Sequence, residues 1–186
     1  MRYILIVLLM MTISACAFAE NELDIPDAGR QPIFFESINK RTSSVGLTPL
    51  RKEKLSDNDL EIRFWIEVSF SYPEGYIFSK SGSDWLARHI PADSDPTIQN
   101  LETPRSGWLA FISKMEKSGL YTLPDSSTLK DEIFVFDGTS YVIEILKNNK
   151  YRTYTYHNPE YQSWPEAKSI LNIAKTIKEE FSTHYK

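Results

Sequence analysis

The sequence predicts an α+β fold: an antiparallel sheet of about five strands with two main helices packed on one face, preceded by an extended N-terminal arm. Three observations predict it. Apolar side chains alternate at a period of two across residues 60–70. The tight-turn dipeptides Asp137-Gly138 and Asn148-Asn149 separate three short β-rich runs. Two further segments each carry a single apolar stripe at helical spacing, and such a helix covers one side of something. The sheet is the only candidate for that partner.

The chain opens with Met1 and Arg2, then an apolar run from Tyr3 to Met11, then small residues through Ala19. A run this short does not cross a hydrocarbon core, which takes roughly 20 helical residues. The expectation is a secretory signal over residues 1–19, cleaved after Ala17-Phe18-Ala19 to release a chain starting at Glu20. Ile13-Ser14-Ala15-Cys16 also resembles the lipobox of bacterial lipoproteins. That resemblance implies the alternative, a signal over residues 1–15 with Cys16 lipidated at the outer membrane. Periplasmic or secreted localisation is the first expectation and the lipoprotein the second. No other stretch is apolar enough to suggest a transmembrane span.

Of 186 residues, removal of the first 19 leaves about one domain's worth, long enough to bury a core without covalent staples. Cys16 is the one cysteine, so the mature chain forms no internal disulfide. Losing Arg2 with the signal shifts the net charge of −4 further negative. This acidity argues against nucleic acid and against anionic lipid surfaces, both of which attract basic patches.

Residues 20–59 read as an extended arm and loops, punctuated by Pro26, Gly29, Pro32 and Pro49, with a short strand at Ile33-Phe34-Phe35. Residues 60–186 form the single α+β domain. Its first strand directs Leu60, Ile62, Phe64, Ile66, Val68 and Phe70 one way, while Trp65 interrupts the polar side. A turn at residues 72–75 leads to a partner strand over 76–79. Residues 84–89 read as one helical turn, with the preceding Ser81-Gly82-Ser83-Asp84 as its cap.

Thr103 and Pro104 then suggest a helix start, with Trp108, Phe111, Ile112 and Met115 at helical spacing and Gly119 at the end. The three-strand meander covers 133–136, 141–146 and 151–156. Ser163 with Glu166 suggests a capping box for the last helix, whose stripe is Ala167, Ile170, Leu171, Ala174, Ile177 and Phe181.

Chemistry-bearing patterns are few. His89, His157 and His184 are scattered and no Cys/His pairs exist, so no metal is expected and no other cofactor either. No G-x-S-x-G elbow or glycine-rich phosphate loop is present. Three residues are candidates for carboxylate-dependent hydrolysis. Glu144 lies inside an apolar strand with Arg152 and Tyr154 across the turn as partners, and Asp84 and His89 are weaker candidates.

Trp65, Tyr151, Arg152, Tyr154 and Tyr156 are the candidate binding residues, because rigid aromatic rings and arginine dominate binding hot spots. A strand buries one face beneath helices, so these rings either form a recognition surface or pack under residues 20–59. The expected function is an exported, non-catalytic envelope protein binding a protein or glycan partner, an immunity or inhibitor role among the forms this takes. A small periplasmic hydrolase and a structural lipoprotein anchored through Cys16 are the alternatives.

The run Asp137-Gly138-Thr139-Ser140-Tyr141, with Glu144, Tyr151-Arg152 and Asn158-Pro159 before a terminal helix, resembles a layout of small bacterial exported proteins. Its motifs are generic, and the resemblance implies no activity.

Overall fold

The structure, a computed structural model, describes residues 22–24, 31–68, 71–129, 133 and 137–181. The signal region with Cys16, and residues 134–136 of the expected meander, lie outside them.

Six antiparallel strands form the sheet: β2 (Leu60–Val68), β3 (Glu74–Ser81), β4 (Asp84–Ile90), β5 (Gln99–Leu101), β6 (Thr139–Lys147) and β7 (Lys150–His157). Their spatial order is β7-β6-β2-β3-β4-β5. A short β1 (Glu22–Asp24) runs parallel to β7 at the edge, opposite Lys150 to Arg152. The helices are α1 (Gln31–Ser44), α2 (Trp108–Lys117) and α3 (Pro165–Phe181).

The alternation in β2 decides which residues enter which layer. Leu60, Ile62, Phe64 and Ile66 join Phe78, Ile143, Tyr154 and Tyr156 beneath α2 and α3, which contribute Phe111, Met115, Ile170, Ile173 and Ile177. Aromatic contacts fasten α2 here: Trp108 stacks on Trp85 at 4.9 Å, and Phe78 meets Phe111 edge-on at 5.0 Å. The opposite face is not left to solvent. Ile38 of α1 packs on Trp65, Ile77, Ile90 and Val142, and the segment after the helix brings Val45 and Leu47. Leu50 and Leu55 continue this cover over Leu146 and Tyr151. The antiparallel α+β architecture with two helices on one face therefore holds, with one strand more than expected and a third helix on the other side.

Four local expectations need correction. Ile33-Phe34-Phe35 belongs to α1, not to a strand, so the region read as an extended arm supplies a covering helix. Residues 84–89 are strand β4, because Ser81-Gly82-Ser83-Asp84 is the hairpin turn from β3. Gly82 takes φ +58° there, and Asp59 accepts its N–H at 3.0 Å. The helix expected from Thr103 begins at Trp108. Residues 105 and 106 are instead tied to the far end of α3, where the Ser106 N–H donates to the Glu180 carboxylate at 2.8 Å. Finally α3 starts at Pro165, slightly later than the Ser163 cap implies.

Asp137-Gly138 is not a hairpin turn into β6 either, since β2 and β7 take both edges of that strand, but the punctuation at Asn148-Asn149 and Gly119 is as read. Asn148 and Asn149 both adopt positive φ, 52° and 57°, in the two-residue β6–β7 turn, and Gly119 takes φ +88° after α2.

Gly75 lies directly against the Trp65 ring. A Cβ added there would stand 2.6 Å from Cζ3 and 2.9 Å from Cε3 of Trp65. The indole is fully buried and has no room to withdraw. Gly75→Ala is expected to cost about 1–3 kcal/mol by overpacking, read as a lower urea midpoint. An unchanged midpoint would mean that Trp65 is not held in this position.

Candidate functional site

Glu144 faces α1 from the middle of β6. Both carboxylate oxygens are engaged: Trp65 Nε1 donates to Oε2 at 2.7 Å and the Tyr151 hydroxyl donates to Oε1 at 2.8 Å. The residue is 2% exposed. The expected partners were Arg152 and Tyr154, and the register corrects this. Glu144 stands opposite Thr153, while Arg152 and Tyr154 flank it on the other side of the sheet. Burial, reinforced by the nearby Glu144 charge and hydrogen bond, pushes the Tyr151 hydroxyl well above its ordinary pKa.

Asp84 and His89 do not join Glu144. They lie at opposite ends of β4 and alternate across it. Asp84 is exposed at the hairpin turn, accepting from the Ser83 hydroxyl at 3.2 Å. His89 lies on the α3 side, its Nε2 2.8 Å from Glu74 Oε1, which also accepts from the Tyr76 hydroxyl at 3.0 Å. The His89 hydrogen bond is the leading cause that holds the Glu74 carboxyl below its usual range.

The aromatic strand is likewise internal, which corrects the expectation of a recognition face there. Trp65 and Tyr151 are covered by α1 and the residues following it; Tyr154 and Tyr156 are covered by α2, α3 and the segment after α2. The Tyr154 hydroxyl donates to the Leu120 carbonyl at 2.7 Å and that of Tyr156 to the Pro124 carbonyl at 2.8 Å. Arg152 lies over the Tyr154 ring at 4.9 Å and donates to the Leu123 carbonyl. These residues fasten the 120–124 segment onto β7.

Two features escaped the sequence reading. Ser140 Oγ lies 2.9 Å from His157 Nδ1, across paired positions of β6 and β7. Glu67 pairs with Ser140 on the β2 side, so the acid stands beside the serine instead of behind the imidazole. That is the wrong order for a triad, in which the acid orients the base. Burial pushes the Glu67 carboxyl up, while Ser37 Oγ donates to it at 2.9 Å.

The second feature is a groove of about 350 Å³ along the outer side of α1. Ser37, Lys40, Arg41 and Ser44, three and four residues apart on one helix face, form one wall. Ser71, Tyr72 and Pro73 from the β2–β3 turn and Ser94 from the β4–β5 loop form the other. Arg41, only 4% exposed, ties the walls together. Its Nε donates to the Pro73 carbonyl at 3.1 Å, one terminal nitrogen to the Asp93 carbonyl at 2.6 Å, and the other to the Pro91 carbonyl. Desolvation lowers the Arg41 pKa from its ordinary value. The guanidinium also lies 5.3 Å from the centroid of the Tyr72 ring, which is 51% exposed. The signal in the sequence was Ser37, Lys40, Arg41 and Ser44 at helical spacing, invisible while the segment was read as an arm.

Among the described residues no group of three or more His, Cys, Asp or Glu is placed to hold a metal, and no helix is long and apolar enough to cross a membrane. Comparison of the chain with protein-family models, curated proteins and solved structures returns no match.

Proposed function

We propose that this chain is an exported, non-catalytic envelope protein that recognises a protein or glycan partner, through the groove beside α1 and not through the aromatic strand. The observation that carries the reading is the contrast between the two places. Trp65, Tyr151, Tyr154 and Tyr156 are consumed by packing, whereas the groove is concave and partly open, lined by serine hydroxyls, Lys40 and Arg41, with Tyr72 exposed beside them. Its volume falls near the lower end of the roughly 300–1,000 Å³ of small-ligand sites. Export rests on the N-terminal pattern of residues 1–19, with lipidation at Cys16 as its alternative form.

The hydrolase reading has less support, because Glu144, Asp84 and His89 do not converge and both oxygens of Glu144 accept internal donors. Glu144→Gln supplies the test. Its amide oxygen still accepts from Trp65, and its amide N–H donates to the Tyr151 oxygen, so stability is expected to fall by less than about 1.5 kcal/mol. Partner retention is expected to be unchanged when the C-terminally tagged variant is purified from its native envelope. A partner or turnover lost specifically in the folded variant would favour the carboxylate enzyme. Intact mass of the purified chain reads the N-terminus directly, as Glu20 or as a lipidated Cys16.

A further inference from the structure

We infer that the groove beside α1 is a saccharide site, with Tyr72 as its stacking platform and Arg41 as the positioning residue that builds it. This rests on the proposed binding function and narrows it to a ligand class.

The walls of the groove carry serine hydroxyls whose hydrogens are already committed. Ser37 Oγ donates to Glu67, Ser44 Oγ to the Arg41 carbonyl at 2.8 Å, and Ser71 Oγ to the Val68 carbonyl at 2.7 Å. Each hydroxyl spends its hydrogen on the protein and keeps its oxygen as an acceptor. Lys40, exposed on the same helix face, brings donors. A wall of mixed acceptors and donors suits a polyol, whose hydroxyls both give and take hydrogen bonds.

The ring supplies the rest. One side of Tyr72 is engaged by the Arg41 guanidinium and half of the residue faces solvent. Sugar C–H groups carry partial positive charge and pack on the electron-rich face of an aromatic ring. A peptide partner would call for apolar sub-pockets, and the lining offers only Tyr72 and the largely buried Pro73.

Arg41 acts through the loops. By donating to carbonyls of Pro73, Pro91 and Asp93 it fixes the β2–β3 turn and the β4–β5 loop against α1. Lysine carries the charge but lacks the planar fork that reaches several carbonyls at once.

The test uses the mature chain on an array of defined oligosaccharides, followed by calorimetry with the saccharide that binds best. Tyr72→Ala is expected to weaken that binding about tenfold and Tyr72→Trp to retain it, since stacking needs a ring and not the hydroxyl. Arg41→Lys is expected to weaken binding about fivefold in a chain still folded by circular dichroism. An unchanged affinity in that folded variant would reduce Arg41 to a structural role and overturn its assignment.

Absence of saccharide binding, or binding indifferent to Tyr72→Ala, would overturn the site. A stoichiometric protein partner lost on Tyr72→Ala, with no saccharide bound, would overturn this inference while leaving the binding function standing. Neither ligand would remove both.

Discussion

Trp65→Ala is expected to lower stability by more than about 4 kcal/mol, combining the roughly 3–5 kcal/mol of a truncated core aromatic with the loss of a buried carboxylate's donor. The indole is fully buried among Ile38, Ile77, Ile90 and Val142, and lies against Gly75. Its N–H is one of two side-chain donors to Glu144. Removing it therefore opens a cavity and strips a partner from a carboxylate that is 2% exposed. Since whole domains are stable by only about 5–15 kcal/mol, the variant is expected to sit close to its unfolding threshold.

Urea titration followed by circular dichroism reads the loss. Trp65→Phe separates the causes, keeping most of the ring while deleting the N–H. A Trp65→Ala chain within about 1 kcal/mol of the parent would mean that the α1 face is not a second core.

Alkaline pH is expected to unfold the protein cooperatively, through its buried tyrosines. Burial raises the pKa of Tyr151, Tyr154 and Tyr156; Glu144 adds to it for Tyr151, and Glu166 and Asp125 for Tyr156. Burial also pushes Tyr121 up to about 12. In the unfolded chain tyrosine ionises near its ordinary value of about 10, while the folded interior keeps these hydroxyls protonated. Above that value the folded state holds more protons than the unfolded state, so stability falls as pH rises. Their contribution is complete below about pH 10 and is lost on the way up to the folded-state values.

With Tyr121 these four groups imply a slope of about 5 kcal/mol per pH unit once the unfolded chain is ionised. Tyrosinate absorbance and far-ultraviolet circular dichroism, followed together from about pH 9 to 12, are expected to change in one shared step for these rings. Tyr154→Phe is expected to shallow the slope by about a quarter, since one of the four groups is removed. Ionisation of all the tyrosines well before any loss of ellipticity would contradict their burial.

β2, β3, β6, β7 and α3 were legible because their patterns are regular. Apolar residues recur every second position in β2, and the Asn148-Asn149 turn fixes how β6 meets β7. α1 was not legible, because over residues 35–44 the side chains it buries are Arg41 and Thr42 beside Ile38. A helix that covers a sheet with polar side chains leaves no apolar stripe to read. β4 was misread because Trp85 and Ala87 on one face, and Leu86 and Ile90 on the other, blur its alternation. The candidate site suffered from the same gap. Trp65 and Tyr151 looked like recognition residues while residues 31–55 had no assigned place, and the groove needs α1 to exist at all.

The two linings of the sheet are chemically unlike, and this bears on how the strands find their alignment. Under α2 and α3 the β2–β6 pairs are Ile62 with Ile145 and Phe64 with Ile143; under α1 they are Arg63 with Glu144 and Trp65 with Val142. Sliding one strand by a single residue turns all of its side chains to the other side. A slide of β6 would carry Glu144 into the hydrocarbon layer without its indole and phenol donors, and a slide of β2 would carry Arg63 there, together with Glu61, away from the carbonyl of Thr48. Burying an unpartnered charge is far costlier than misplacing a methyl group. The ionic residues at the middle of the sheet thus act as a checksum on pairing, rejecting offsets that an all-aliphatic sheet would tolerate.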